Sequence, residues 1–181
     1  MVTHIDDSAI AAVSELYGEL EINGRVLDLM GSWISHFATP PAELVVLGMN
    51  WTELHANPMA TSVLAHDLNT TPALPFADNH FDDVVCAVSV DYLTGPIEVF
   101  AEVQRVLRPG GRFVCTFSNR CFPSKAIQGW LRATESQRCE LVSQYFELGG
   151  GFEPAVIEHR TADKLGDPLY AVWARSRKLT K

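Results

Sequence analysis

The sequence has no stretch long and apolar enough to cross a bilayer. Its densest apolar run, Val84 to Val90, is broken by Ser89 and stops at Asp91, whereas a span needs roughly 20 apolar residues. The first residues, Met1 to Asp7, lack the basic-then-apolar order of a secretory leader, so the cytoplasm is the expected location. Positive charge is scarce: 14 Lys+Arg against 22 Asp+Glu leave a net −8, so nothing draws the chain to nucleic acid or to anionic lipid. The four cysteines, Cys86, Cys115, Cys121 and Cys139, have neither short pairing nor metal-ligand spacing, so reduced thiols and no metal site are expected. Internal repeats, low-complexity tracts, charge blocks and linkers are also missing, which leaves a single domain over residues 1–181.

What is present is the material of a folded core. Of 181 residues 47% are apolar and 20% charged, enough to bury about 70% of the unfolded surface. Ile10, Val13, Leu16, Tyr17 and Leu20 recur at helical spacing behind the capping-type Asp6-Asp7-Ser8, which predicts an amphipathic helix. Residues 25–29 and 44–48 are short apolar runs bounded by turn residues, as expected of strands buried on both faces. A short helix is expected between them, stopped by Pro40-Pro41.

Residues 62–66 and 82–89 predict two further strands, the second rich in β-branched residues. Gly95-Pro96 opens a helix predicted to run as far as Pro109-Gly110-Gly111. Residues 112–117 read as a strand, 125–131 and 140–148 as helices, and 152–159 and 169–173 as two closing strands. Helices alternating with buried strands imply an α/β, doubly wound, mostly parallel seven-stranded sheet covered on both faces. In such a sheet a ligand binds beyond the carboxyl ends of the strands, where the strand order reverses.

Four strand ends then carry the argument: Asp28-Leu29-Met30-Gly31-Ser32-Trp33, Met49-Asn50-Trp51, Asp67-Leu68-Asn69 and Ser89-Val90-Asp91-Tyr92. With Leu74-Pro75-Phe76 followed by Phe81-Asp82, and then Leu107-Arg108-Pro109-Gly110-Gly111, the chain resembles the class I S-adenosylmethionine-dependent methyltransferases, type 11 branch. The resemblance runs from about Arg25 to Trp173 and implies a Rossmann-like sheet whose last strand is reversed. Val26 to His36 is similar to a sub-branch in which Asp-Leu-Met-x-Ser-Trp-x-Ser-His replaces the usual glycine loop.

The resemblance implies S-adenosyl-L-methionine as cofactor and gives each strand end a part. Asp28 orients the loop and the methionine amino group, or else caps a helix. Met30, Ser32 and Ile34 fall on the three glycine places of the family pattern, with Gly31 between them, so side chains stand where backbone would approach the ligand. Ser32 and Trp33 belong to that bend. Asn50 replaces an acidic residue on the ribose hydroxyls and offers one acceptor instead of a fork of two, so weaker binding is expected; its alternative is a turn residue. Met49 and Trp51 flank the adenine place. Asp67, with Leu68 beside it, accepts from the adenine exocyclic amine, or forms an Asx-turn. Ser89 borders the methionine part.

Methyl transfer from a sulfonium is an in-line displacement that positioning alone accelerates; a base is needed only for an acidic acceptor. His36, Tyr92 and Asn119 are the candidate catalytic residues, with His4 a second candidate base and Arg120 a candidate anchor for a polar acceptor. Each has a plainer reading as packing or a turn. The expected partner is a small-molecule acceptor. A non-catalytic binding protein on the same fold is the rival, and an NAD-dependent oxidoreductase is disfavoured because Gly-x-Gly-x-x-Gly is missing.

Overall fold

The computed structural model describes residues 3–162 and 166–177. Seven strands form one sheet in the order β3-β2-β1-β4-β5-β7-β6: β1 (Arg25–Leu29), β2 (Glu43–Gly48), β3 (Ser62–Ala65), β4 (Phe81–Ala87), β5 (Leu107–Ser118), β6 (Val156–His159) and β7 (Leu169–Arg175). Strands β1 to β5 run parallel to one another, and β7 runs antiparallel to both β5 and β6. The order reverses between β1 and β4, so the crevice expected of this topology opens at their carboxyl ends.

Two apolar layers sandwich the sheet. On one face α3 (Pro96–Val106) and α5 (Glu135–Gly149) press Phe100, Val103, Val142 and Phe146 onto Leu27, Val84 and Phe113. On the other, α1 (Asp7–Glu19) packs Val13, Leu16 and Tyr17 over Val26, Val85 and Val114. The periodicity of α1 explains its placement, and Asp6 caps it by accepting from the Ala9 N–H. Short helices α2 (Trp51–His55) and α4 (Gln128–Arg132) complete the set. Among the described residues no helix is long and apolar enough to cross a membrane.

Four elements differ from the expectation. Residues 30–42 contain no helix: Phe37 from this segment packs on Tyr17 at 4.7 Å between ring centroids, so α1 and the loop cover a face that would otherwise need a helix. Helix α3 ends at Val106, short of Pro109, because Leu107 pairs with Phe81 and β5 begins there, with a register shift before Asp83 meets Arg112. The predicted helix over 125–131 shrinks to α4, and the strand over 152–159 begins only at Val156, with Phe152 making one isolated bridge to Ser176.

Candidate active site at the carboxyl ends of the strands

Register brings the strand-end residues into a row. Leu29 is level with Leu47 and Gly48 with Ala65. Gly31 donates to the Leu47 carbonyl at 2.9 Å, and His66 to the Gly48 carbonyl at 2.8 Å. Met30-Gly31, Met49-Asn50-Trp51 and His66-Asp67 therefore follow one another across three neighbouring strands. Met49 is 71% and Trp51 57% exposed, an apolar and aromatic surface held open beside polar side chains and of the kind a planar base would cover.

The bend after β1 is tight. Met30 has φ 57°, the left-handed conformation in which glycine is favoured, so a side chain carries here the strain the family's glycine avoids. A Cβ on Gly31 would lie 2.6 Å from Val46 Cγ1 and 2.8 Å from Asp28 Cγ, and one on Gly48 2.3 Å from the Gly31 oxygen. The two glycines let the loop lie flat on the ends of β1 and β2. The loop is clamped from α2's far side by Asn57, buried, whose Nδ2 donates to the Ser32 carbonyl at 2.9 Å and to Ser35 Oγ at 2.7 Å. Asn57 Oδ1 accepts in turn from the Met59 N–H at 3.0 Å. On the β4 side Ser89 Oγ donates to the carbonyls of Ala87 at 2.8 Å and Met30 at 3.3 Å. Trp33 is half-buried in the same loop.

Asp28 does not present an open carboxylate to a ligand. It is 2% exposed, sealed under Gly31 on the α1 face, with Ser35 donating to it, and burial pushes its pKa up to about 7. It holds the loop from below instead of facing the crevice. Asn50 and Asp67 both spend acceptor oxygens locally. Asn50 Oδ1 caps α2 through the Thr52 and Glu53 N–H groups at 3.1 and 3.3 Å, leaving its two amide donors without a local acceptor. Asp67 accepts from the Asn69 N–H at 3.0 Å and Thr70 Oγ1 at 2.8 Å, bonds that hold its carboxyl below the usual range. Its side chain remains exposed, while Leu68 turns into the core.

The proposed catalytic residues part company. His36 is buried with φ 53°; desolvation, then the neighbouring His4, pushes its pKa down to about 4, and its Nδ1 has no partner. It is part of the packed floor under α1, where Ser14 Oγ donates to its carbonyl at 2.5 Å. Asn119 is exposed beside Ser118. Arg120 pairs with Asp167 at 2.6 Å, and Asp167 also accepts from the Asp6 N–H at 3.0 Å, so this cation ties the β5 loop to the cap of α1. His4 sets its ring edge-on to Phe122 at 5.1 Å, and Tyr92 lies 6.5 Å from the same ring with its hydroxyl accepting from the Phe122 N–H at 3.0 Å. His4, Tyr92 and Phe122 thus form an aromatic rim over the ends of β4 and β5.

Two contributors have no signal in the sequence. Asn57 stands outside any motif. Asn69 donates to the Tyr92 carbonyl at 2.9 Å and accepts from the Thr94 N–H at 2.8 Å, stapling the turn after β3 to the one after β4.

With strand order, reversed β7 and row of strand-end residues in place, the chain has the fold of the class I methyltransferases. Residues 46–115 match the type 11 methyltransferase domain. The chain is 37% identical over 116 residues to the ubiquinone/menaquinone biosynthesis C-methyltransferase UbiE of Dinoroseobacter shibae, covering 60% of this chain and 45% of that protein. It is 30% identical over 104 residues to the corresponding enzyme of Geotalea daltonii, covering 51% and 44%. The matched stretch thus spans less than half the length of these curated relatives. Among solved structures, a chain from the complex of the Haloferax volcanii Trm112 methyltransferase activator with a methyltransferase superposes with a TM-score of 0.70 at 14% identity, covering 97% and 92%. An S-adenosylmethionine-dependent methyltransferase from Thermotoga maritima gives 0.66 at 16%, covering 94% and 91%.

S-adenosylmethionine is the cofactor this family implies, and the residues present fit one half of it well. Exposed Met49 and Trp51, the free donors of Asn50 and the exposed Asp67 carboxylate suit an adenosine, with one fewer acceptor for the ribose hydroxyls than an acidic residue would give. For the methionine end, the sealed Asp28 supplies a supported loop and no direct acceptor.

Proposed function

We propose that this protein transfers a methyl group from S-adenosylmethionine to a small-molecule acceptor. The observation that carries the reading is the row of Met49, Asn50, Trp51 and Asp67 along the carboxyl ends of β2 and β3, beside the point where strand order reverses. The curated relatives are named for methylating quinones, which supports a small organic acceptor over a macromolecule.

The cofactor, when bound, supplies an electrophilic methyl group on a sulfonium. This chain's residues do the rest. Met49 and Trp51 cover the base, Asp67 accepts from its amine, and the clamped 30–35 loop closes over the methionine part. The rim of His4, Tyr92 and Phe122 bounds the acceptor, and a nucleophile held in line gains effective molarity without a covalent enzyme intermediate. Calorimetry with S-adenosylmethionine and S-adenosylhomocysteine tests this. One-to-one binding of both is expected, weakened about tenfold by Asp67→Ala, and no heat from either at millimolar ligand would end the proposal.

One observation favours a different use of the fold: Met30 sits where glycine is preferred, while Asn50 and Asp67 are each engaged in local caps. A [4+2]-cyclase, SpnF, shares the fold with a TM-score of 0.66 at 16% identity, covering 91% and 80%. Cofactor binding without release of S-adenosylhomocysteine across varied acceptors would favour this second reading.

A further inference from the structure

The turn that follows β4 is held in place from another part of the sheet. Val88 has φ 47°, a left-handed conformation that a β-branched residue adopts only where its surroundings impose it. Behind it come Ser89 and the 3-10 turn Val90–Tyr92. Asn69, in the turn after β3, pins this segment at two points. Its Nδ2 donates to the Tyr92 carbonyl at 2.9 Å, and its Oδ1 accepts from the Thr94 N–H at 2.8 Å and from Thr94 Oγ1 at 3.1 Å. A carboxamide answers both needs at once, whereas a carboxylate offers no donor. The bonds lie at the exposed surface, so each is worth little alone and the staple has an open as well as a closed state.

Asn69 is also tied to the place assigned above to the base. Its backbone N–H donates to Asp67 Oδ1 at 3.0 Å, Thr70 Oγ1 donates to Asp67 Oδ2 at 2.8 Å, and the Thr71 N–H donates to the Asp67 carbonyl at 2.9 Å. A ligand that fixes the Asp67 carboxylate therefore fixes the Asn69 backbone with it. On the other side Tyr92 continues the series: its hydroxyl accepts from the Phe122 N–H at 3.0 Å, and the Phe122 ring meets that of His4 at 5.1 Å. Direct contacts thus run from Asp67 through Asn69 and Tyr92 to the aromatic rim.

We propose that Asn69 is a positioning residue that couples the two substrate places: an adenosine seated on Asp67 closes the staple, and the closed staple sets the rim that meets the acceptor. This rests on the methyltransferase reading above. Asn69 touches neither substrate and acts through Asp67 on one side and Tyr92 on the other. The element with two states is the turn after β4, whose strain at Val88 favours release and whose bonds to Asn69 oppose it. Such coupling is reciprocal: whatever the ligand adds to the closed staple, the staple adds to the affinity for the ligand. An order of binding follows, with the cofactor entering first and the acceptor meeting a finished rim.

The test is amide hydrogen exchange by NMR on the full chain, free and saturated with S-adenosylhomocysteine or with adenosine. The reporters are the Thr94 N–H, bonded to Asn69 Oδ1, and the Phe122 N–H, bonded to the Tyr92 hydroxyl. Either ligand should slow the exchange of both amides in wild type, about fivefold at Thr94. Asn69→Ala should still bind S-adenosylhomocysteine, about fivefold more weakly, and show no ligand-dependent slowing at Phe122. Asn69→Asp, which keeps the acceptor for Thr94 and loses the donor to Tyr92, should retain the slowing at Thr94 and lose it at Phe122. A residue that only braced the fold would lower protection equally with and without ligand. That result, wild type that binds S-adenosylhomocysteine with unchanged exchange at both amides, or either variant matching wild type at Phe122 overturns the proposal. Failure of wild type to bind S-adenosylhomocysteine at all overturns instead the reading on which it rests.

Discussion

Replacing Asn57 by alanine isolates the clamp that stands in for the missing helix after β1. The side chain makes three bonds, from Nδ2 to the Ser32 carbonyl and Ser35 Oγ and from the Met59 N–H to Oδ1, all in a buried position. At about 1 kcal/mol net for each, the loss is roughly 3 kcal/mol. For a chain of this length 1 kcal/mol moves Tm by about 2–4 °C, so a fall of roughly 6–12 °C is expected in calorimetric melting. The same change frees the loop proposed to cover the methionine part, and the affinity for S-adenosylhomocysteine should drop about tenfold. The control is Asn23→Ala, an exposed turn position expected to stay within about 0.5 kcal/mol. A Tm shift for Asn57→Ala no larger than the control's, with ligand affinity intact, would show that the loop is held by its own packing and not by this amide.

Asn50→Asp keeps the α2 cap, since Asp caps as well as Asn, and adds a second acceptor oxygen. S-adenosylhomocysteine should bind about 3–10-fold tighter in a calorimetric titration, and an unchanged Kd would mean that the ribose does not reach this residue. Gly31→Ala forces a Cβ against buried Val46 and Asp28 and should cost about 2 kcal/mol in urea unfolding; a wild-type midpoint would show that the bend can shift. Asp28 and His36 should pull stability in opposite directions. The folded pKa of Asp28 is raised to about 7, so its contribution is complete below the unfolded carboxylate pKa and is lost as pH rises from about 4 to 7. That of His36 is lowered to about 4, so its contribution is present above about 6.5 and lost as pH falls toward 4. Asp28→Asn should therefore gain on wild type with rising pH over that window, and His36→Gln with falling pH. Parallel pH profiles for wild type and both variants would contradict the burial of these groups.

What the sequence discloses here follows how local each determinant is. The strands are legible because a parallel strand buried on both faces writes an unbroken apolar run, as Leu44 to Leu47 and Val84 to Cys86 do. Helix α1 is legible because its apolar side repeats every three or four residues. The end of α3 is not: helical spacing continues through Leu107, and only the pairing of that residue with Phe81, distant in sequence, converts it to strand. Tertiary packing decides the 30–42 segment too, since Phe37 finds its place on Tyr17 of α1 and the face is covered without a helix. The site divides along the same line. The caps that occupy Asn50 and Asp67 involve neighbours within three residues and stand among the readings the residue types allow. By contrast, the burial of Asp28 and His36 and the reach of Asn57 and Asn69 depend on chain segments that meet only after folding. The family pattern names the places where a ligand would lie, but whether a side chain there is open, engaged or sealed is fixed by those meetings. Asp28 shows the difference most sharply: it stands at the family's acidic position, yet the loop that replaces the glycine turn covers it, and its carboxylate becomes a support for the loop while the open acidic group of the row is Asp67.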